Sequence, residues 1–317
     1  MRIVFMGSPE FALPALRGLI EGEHAVAAVV TQPDRPAGRG RGLRPPPAKE
    51  LALAHQVPVL QPERVNAPAA LEQLREVAPD VIVIAAYGQI LRQPLLDLPG
   101  RGCLNVHASL LPKYRGASPV AAAILAGDQE TGVTILEVAL ALDAGPILAK
   151  RTTPIEPGDT TGSLTEKLSR LGAELLIETL PAWERGDLTP EPQDEALASY
   201  APGLRRADTV LDWSLPAVDL WRRVRAYYPW PVATTTLDGE PLRVLEAWPL
   251  NAEPDAPAGT VVALPGHAGA PEQAGFAVCC GMGVLAITRA QRAGRRVVSG
   301  HELMRGLRGL IGRRLGM

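Results

Sequence analysis

Cysteine is scarce in this chain of 317 residues: Cys103 and the adjacent pair Cys279 and Cys280 are all it has. No two of them stand in a CxxC spacing, and an odd count closes no disulfide framework, so structural zinc and a stapled secreted fold both lose their basis. The thiols are expected to be reduced and to serve packing. The five histidines are dispersed with no HxH or HxxxH pair, and no metal is expected. Long apolar runs are missing too. The cleanest, residues 81–86, falls far short of the roughly 18 residues a membrane span needs. The opening MRIVFMGSPE holds too few apolar residues before Ser8 and Pro9 for a signal-peptide core. The expectation is a cytoplasmic protein with no membrane partner. Glycine is lacking where a dinucleotide would need it: the first apolar run ends in MGSPEF, one glycine where the fingerprint has three. No NAD is expected, and Gly7 is expected to let the chain turn tightly into a helix.

What is present is ordinary for a folded protein. With 46% hydrophobic and 21% charged residues, the chain can build two domains with substantial cores. The net charge of −2 hides an asymmetry, because residues 205–317 carry 14 Lys+Arg against 10 Asp+Glu and leave the rest acidic. A basic C-terminal part suits either a polyanionic partner or a solvated basic face.

Through about residue 155, short apolar runs alternate with helix-like stretches: RIVFMG, EFALPALRGLI, AVAAVVTQ, AALEQLREVA, DVIVIAA, GCLNVHA and GVTILEVA. This pattern predicts an α/β fold with a doubly wound, mostly parallel sheet, whose ligands bind at the carboxyl ends of strands. A helix over 164–185 closes this part, with Thr160, Thr161 and Ser163 as candidate caps. Residues 187–207 are rich in Pro and charge without periodicity and read as a linker. The runs VATTTL, LRVLEAW, GTVVAL, FAVCC and GVLAIT then predict a smaller β-barrel or sandwich, flanked by helices over 217–226 and 301–310. The division drawn is a catalytic domain over 1–189, a linker over 190–207 and a second domain over 208–317.

The segment LNVHASLLPKYRGASP concentrates the chemistry. Side chains alternate across a strand, so Asn105 and His107 share one face while Leu104 and Val106 take the other. A hydrogen-bond donor and a proton-transfer group therefore point the same way, ahead of a loop with Lys113 and Arg115. Asp143 falls in a turn after another apolar strand, just before Gly145 and Pro146. Together the three suit a reaction with a developing oxyanion and a proton to move.

The stretch TQPDRPAGRGRGLRPPP places Arg35, Arg39, Arg41 and Arg44 in a Gly- and Pro-rich loop that fits no packed helix or strand. Arginines there suit phosphate contact or insertion into a nucleic-acid groove, ordering on binding. AAYGQIL, residues 85–91, leaves a strand with Tyr87 and Gly88. It suits either backbone groups reading a flat heterocycle or a turn with a packed tyrosine.

Seven segments carry a resemblance: FMGSPEFALPAL, TQPDRPAGRGRGLRPPPAK, VIAAYGQIL, GCLNVHASLLPKYRGASPV, GDQETGVTILEVALALDAGPIL, the DWS of residues 212–214, and AYYPWPVA. In these the chain resembles the methionyl-tRNA formyltransferase family, with a weaker match continuing to its end. The resemblance implies transfer of a formyl group from 10-formyltetrahydrofolate, the cosubstrate, to methionine on initiator methionyl-tRNA. It implies a Rossmann-like formyltransferase domain, an OB-like tRNA-binding barrel and a monomer. Asn105, His107 and Asp143 match the catalytic trio of the family. Ser109, Leu110, Leu111 and Pro112 match its folate-binding loop, and Gln89, Ile90 and Leu91 fall where relatives hold the pterin with backbone groups. Arg39 matches the residue that contacts the acceptor end, with Arg35, Arg41 and Arg44 beside it. Gly203 stands where many relatives have a lysine; Arg205 and Arg206 are near. The rival readings are a formyltransferase of the same fold acting on a small amine and a folate- or tRNA-binding module without catalysis.

Overall fold

The computed structural model describes residues 1–37, 42–264 and 269–316. The chain forms two units. The first comprises Met1–Pro119, Glu130–Pro154 and Thr165–Ala201; the second takes Val120–Gln129, Ile155–Leu164 and the chain from Pro202 on.

The chain opens with β1 (Arg2–Gly7), α1 (Leu13–Glu21) and β2 (Ala25–Val30), then two short strands, β3 (Arg35–Ala37) and β4 (Gly42–Arg44), and α2 (Pro47–Ala54). There follow β5 (Val59–Leu60), α3 (Pro68–Val77), β6 (Val81–Ala85), α4 (Gln93–Leu96) and β7 (Cys103–His107). After α5 (Pro119–Ala126) come β8 (Glu130–Glu137), β9 (Ile147–Pro154) and the long α6 (Thr161–Arg185). The helices α1 to α4 each carry a proline in their first turn, where its missing N–H costs no hydrogen bond and its fixed φ suits the helix. Thr160 and Ser163 exchange side-chain-to-backbone hydrogen bonds at the start of α6, the capping expected there.

A seven-stranded sheet runs in the order β5-β2-β1-β6-β7-β8-β9. It is parallel from β5 through β7 and antiparallel beyond. The order reverses at β1, which makes the sheet doubly wound. All five residues of β6 are buried, as a strand covered on both faces requires. Val4, Met6, Val30, Ile82 and Ile84 pack there against Leu71 and Leu74 of α3. The strand β9 was not anticipated: its burial alternates and it carries Lys150 and Arg151, the marks of a solvated edge strand that a search for apolar runs passes over.

One local expectation is corrected and another extended. A Cβ at Gly7 would lie 2.7 Å from the carbonyl oxygen of Ala85 and 2.8 Å from the Ala12 Cβ, so glycine lets β1 approach β6 as well as the helical turn that follows it. The arginine loop is not without regular structure, since β3 and β4 pair as an antiparallel ribbon with Arg35 opposite Arg44. Composition missed it because the pairing needs only three residues on each strand, too few to show a period.

In the second unit, α7 (Ala217–Ala226) precedes β10 (Ala233–Leu237), β11 (Glu240–Leu250), β12 (Val261–Ala263), β13 (Phe276–Cys279), β14 (Val284–Arg292), β15 (Val297–Ser299) and α8 (Gly300–Gly306). The antiparallel order is β10-β11-β14-β13-β12, with β15 beside β14. Both outer strands are met by the last segment of the chain. Leu315 bridges Leu237 of β10 and Arg314 bridges Thr260 at the start of β12, so the final residues close the sheet into a small barrel. Leu250, Ala277, Cys279, Val284 and Ala286 form one buried cluster on this sheet. The expected helix over 301–310 stops at Gly306, where glycine costs about 1 kcal/mol relative to alanine.

The three cysteines are buried free thiols, and burial pushes Cys103 and Cys280 up to about 12, keeping them protonated as packing groups. Among the described residues no helix is long and apolar enough to cross a membrane.

Candidate active site

The strand β7 ends at the centre of the site. Leu104 and Val106 are buried on one face; on the other, Asn105 stands opposite Leu136 of β8 and His107 opposite Thr134. Thr134, the lone polar residue of an otherwise apolar run, staples the loop that follows. Its hydroxyl donates to the Ser109 carbonyl at 2.7 Å and accepts the Leu111 N–H at 3.1 Å. Ser109 is itself fully buried and its hydroxyl donates to the Lys113 carbonyl at 2.6 Å. The loop is therefore folded back on itself, and its next residue, Tyr114, presents a carbonyl oxygen 3.0 Å from His107 Nε2. A carbonyl only accepts, so Nε2 carries the proton and donates.

The other ring nitrogen faces Asp143. His107 Nδ1 lies 3.6 Å from Asp143 Oδ2, beyond hydrogen-bond length, with the two side chains 7% and 14% exposed. The same carboxylate oxygen accepts the Gly116 N–H at 2.8 Å. Asp143 adopts φ +50°, a left-handed conformation that costs a non-glycine residue about 1–2 kcal/mol. It is held there from outside its own loop. Gln193 Nε2 donates at 2.7 Å to the Asp143 carbonyl and at 2.7 Å to the Gly145 carbonyl. Asn105 is half-buried, and among the described residues its side-chain amide has no hydrogen-bond partner, which leaves it free to donate to a substrate.

Gln193 belongs to the stretch read as a linker. As far as Ala201 that stretch lies along the first unit as a strap. Glu191 exchanges both backbone hydrogen bonds with Ile147 at 2.8 Å, Ser199 Oγ accepts the Tyr114 N–H at 2.9 Å, and the Ala201 N–H donates to the Arg115 carbonyl at 2.8 Å. Arg115, grouped with the basic loop by sequence, is 1% exposed. Its guanidinium donates to Gln193 Oε1 at 3.1 and 2.8 Å and to the two Glu195 oxygens at 2.9 and 2.8 Å. The Arg115 hydrogen bond holds the Glu195 carboxyl below its ordinary value. A depressed carboxylate stabilises the fold above its unfolded pKa and loses that contribution as pH falls through the folded one. Glu195→Gln is therefore expected to lower thermal stability at neutral pH, and melting curves of variant and parent should converge in acid below the ordinary glutamate range. A difference undiminished in acid would assign Glu195 another role.

Residues 1–180 match the formyl transferase family and residues 204–308 the formyl transferase C-terminal domain family. Over 316 residues, the whole of both chains, the protein is 48% identical to a methionyl-tRNA formyltransferase of Methylococcus capsulatus. A protein of the same name from Roseiflexus sp. is 48% identical over 318 residues, covering 100% of this chain and 95% of its own. The chain belongs to the methionyl-tRNA formyltransferase family. Among solved structures, HypX from Aquifex aeolicus in complex with tetrahydrofolic acid aligns with a TM-score of 0.64 at 22% identity, over 98% of this chain and 48% of that one. WlaRD, a sugar 3N-formyl transferase, aligns at 0.63 and 15% identity over 93% and 99%. At those identities the likeness is one of fold.

The remaining positions singled out on the resemblance to methionyl-tRNA formyltransferases fall in two places. Ser109 to Pro112 form the stapled loop, with Ser109 and Leu111 buried at 0% and 1%. Of the other group, Gln89 spends its side chain on the Val65 N–H at 2.9 Å, Leu91 packs on the core, and Ile90 is 79% exposed. Tyr87 is a packed tyrosine: its ring is 2% exposed, and burial pushes its hydroxyl up to about 12. On the arm, Arg35 pairs with Glu63 at 2.8 Å and Arg44 is exposed. Arg39 and Arg41 lie outside the described residues. At the base of the arm, Asp34 accepts from Gln61 at 2.7 Å and from Lys49 at 2.8 Å. Sequence reasoning missed Thr134, Gln193, Glu195 and Ser199. A single threonine in an apolar strand was a usable signal for the first; the strap residues had none, because their partners are distant in sequence.

Proposed function

We propose that the protein transfers the formyl group of 10-formyltetrahydrofolate to the α-amino group of methionine on initiator methionyl-tRNA, with Asn105, His107 and Asp143 as its catalytic residues. The observation that carries the residue assignment is the meeting, at the end of β7, of a half-buried amide with no partner among the described residues and a histidine 3.6 Å from a carboxylate. Family membership over the full chain supports the substrate pair.

The reaction forms a bond from the amine nitrogen to the formyl carbon, breaks the bond from that carbon to N10, and moves one proton from the amine to N10. Holding the two reactants about 3 to 3.5 Å apart can contribute roughly 7 to 11 kcal/mol of the barrier reduction. As the carbon becomes tetrahedral its oxygen gains negative charge. The Asn105 amide is the donor for it, an interaction typically worth about 3 to 4 kcal/mol. The His107 and Asp143 pair moves the proton: Asp143, fixed by the Gly116 N–H, faces Nδ1 of the imidazole. No enzyme nucleophile takes part, which agrees with the engaged Ser109 hydroxyl and the buried, protonated Cys103 thiol.

On the folate side, the exposed Ile90 side chain and the backbone of Gln89 and Leu91 flank the heterocycle, while Ser109 to Pro112 shape the opposite wall. Arg35, Arg39, Arg41 and Arg44 are the contacts for the acceptor end, and the second unit binds elsewhere on the tRNA. The protein acts in the cytoplasm as a monomer. Labelled formyl should pass from 10-formyltetrahydrofolate to methionyl initiator tRNA and not to free methionine or a glycinamide nucleotide. Transfer confined to a small amine would keep the trio and reassign the arm and barrel. Arg39→Ala is expected to raise KM for the charged tRNA several-fold with folate affinity unchanged; an equal loss of folate affinity would remove it from the tRNA site.

A further inference from the structure

We propose that Gln193 is a positioning residue for formyl transfer, acting through Asp143. The inference rests on the assignment of Asp143 to the proton-transfer pair. The geometry is two-sided. One end of the Gln193 amide accepts two guanidinium hydrogens from the buried Arg115, at 3.1 and 2.8 Å. The other end donates at 2.7 Å to each of the Asp143 and Gly145 carbonyls. Arg115 has no acceptor to offer, so it orients the amide: the oxygen must face the guanidinium and the NH2 must face the two carbonyls. Gln193 thereby grips the backbone on both sides of Ala144, next to a residue at φ +50°.

That grip decides where the Asp143 carboxylate lies. Within its own side chain, the carboxylate is aimed by the Gly116 N–H, and Gly116 directly follows Arg115 in the chain. The same arginine thus fixes both supports of Asp143: the loop that supplies the N–H and, through Gln193, the backbone that carries the side chain. Glu195 and the strap hydrogen bonds to Ile147 lock the register of Gln193 from either side. A 3.6 Å separation of Asp143 from His107 is sensitive to small rotations of that backbone, because proton transfer falls away once the groups leave hydrogen-bond reach.

The decisive variant is Gln193→Glu. It keeps side-chain length and an acceptor for Arg115 but sets a carboxylate oxygen against two carbonyl oxygens in place of the NH2 donor. Turnover of methionyl initiator tRNA is expected to fall at least tenfold, with KM for tRNA and folate within twofold and the protein folded at the assay temperature. In an Asp143→Ala background the same substitution should change kcat less than twofold, since nothing remains to position. Single-turnover transfer of labelled formyl gives the sensitivity this comparison needs. If Gln193→Glu does not fold, Gln193→Met, close in size and unable to donate, replaces it in both backgrounds.

Full turnover by the Gln193 variant, with Asp143→Ala impaired, overturns the inference and leaves the site assignment standing. An equal loss in both backgrounds also overturns it, because Gln193 would then act independently of Asp143. Full turnover by Asp143→Ala would instead overturn the assignment on which the inference rests.

Discussion

His107→Ala is expected to lower kcat for formyl transfer by about 10²- to 10⁴-fold, the usual worth of a positioned proton-transfer group. The folded protein should survive the change. The imidazole makes one backbone hydrogen bond, to the Tyr114 carbonyl at 3.0 Å, worth about 1 kcal/mol. The loop it touches stays closed through Thr134 and Ser109. Asn105→Ala should cost about 10²- to 10³-fold in kcat through loss of the oxyanion donor, and less in stability, since no partner is orphaned within the described structure. Single-turnover rates at saturating donor and acceptor, with melting curves on the same samples, separate the two effects. An unchanged rate for either variant, or a rate lost only because the thermal transition collapses, would move that residue out of the chemistry and into the architecture.

Gly145→Ala is expected to be nearly as damaging by a different route. A Cβ at this position would lie 1.8 Å from the carbonyl oxygen of Glu137 and 3.0 Å from its carbon, both backbone atoms of β8 that cannot swing aside. Relief must come from the connection between β8 and β9, and Asp143 is two residues away on it. Its carbonyl and that of Gly145 are the two that Gln193 holds. Overpacking against rigid surroundings typically costs about 1–3 kcal/mol, so the melting temperature should fall by several degrees. Turnover should fall further than unfolding explains, by about 10² or more, because the displaced backbone carries the Asp143 carboxylate away from His107. Activity measured well below the melting temperature tests this. Near-normal turnover in a protein that melts early would mean that the connection yields without moving Asp143.

The site was partly legible in the sequence, and the reason differs residue by residue. Asn105 and His107 could be placed together because strand alternation is a local property: two residues apart means the same face whatever the fold around them. Asp143 could be placed at a strand end but not at His107, because that meeting depends on β7 and β8 pairing antiparallel in one register. Arg115 was legible only as a charge. Its burial follows from Gln193 and Glu195, which a Pro-rich, aperiodic stretch gave no reason to bring back across the sheet. Composition describes what a segment can do alone, and the strap does little alone.

By itself the sequence determined the alternation of strands and helices, the doubly wound first unit, the short strands of the second one and the shared face of the Asn and His, since each follows from periodicity and turn chemistry within a dozen residues. Only the tertiary structure decided the rest. It paired Arg35 with Arg44 in a ribbon, closed the barrel with the final residues, and drew Gln193 onto the backbone of Asp143. Those contacts join segments far apart in the chain, and their energy comes from hydrogen bonds and burial that exist only once the sheets have formed.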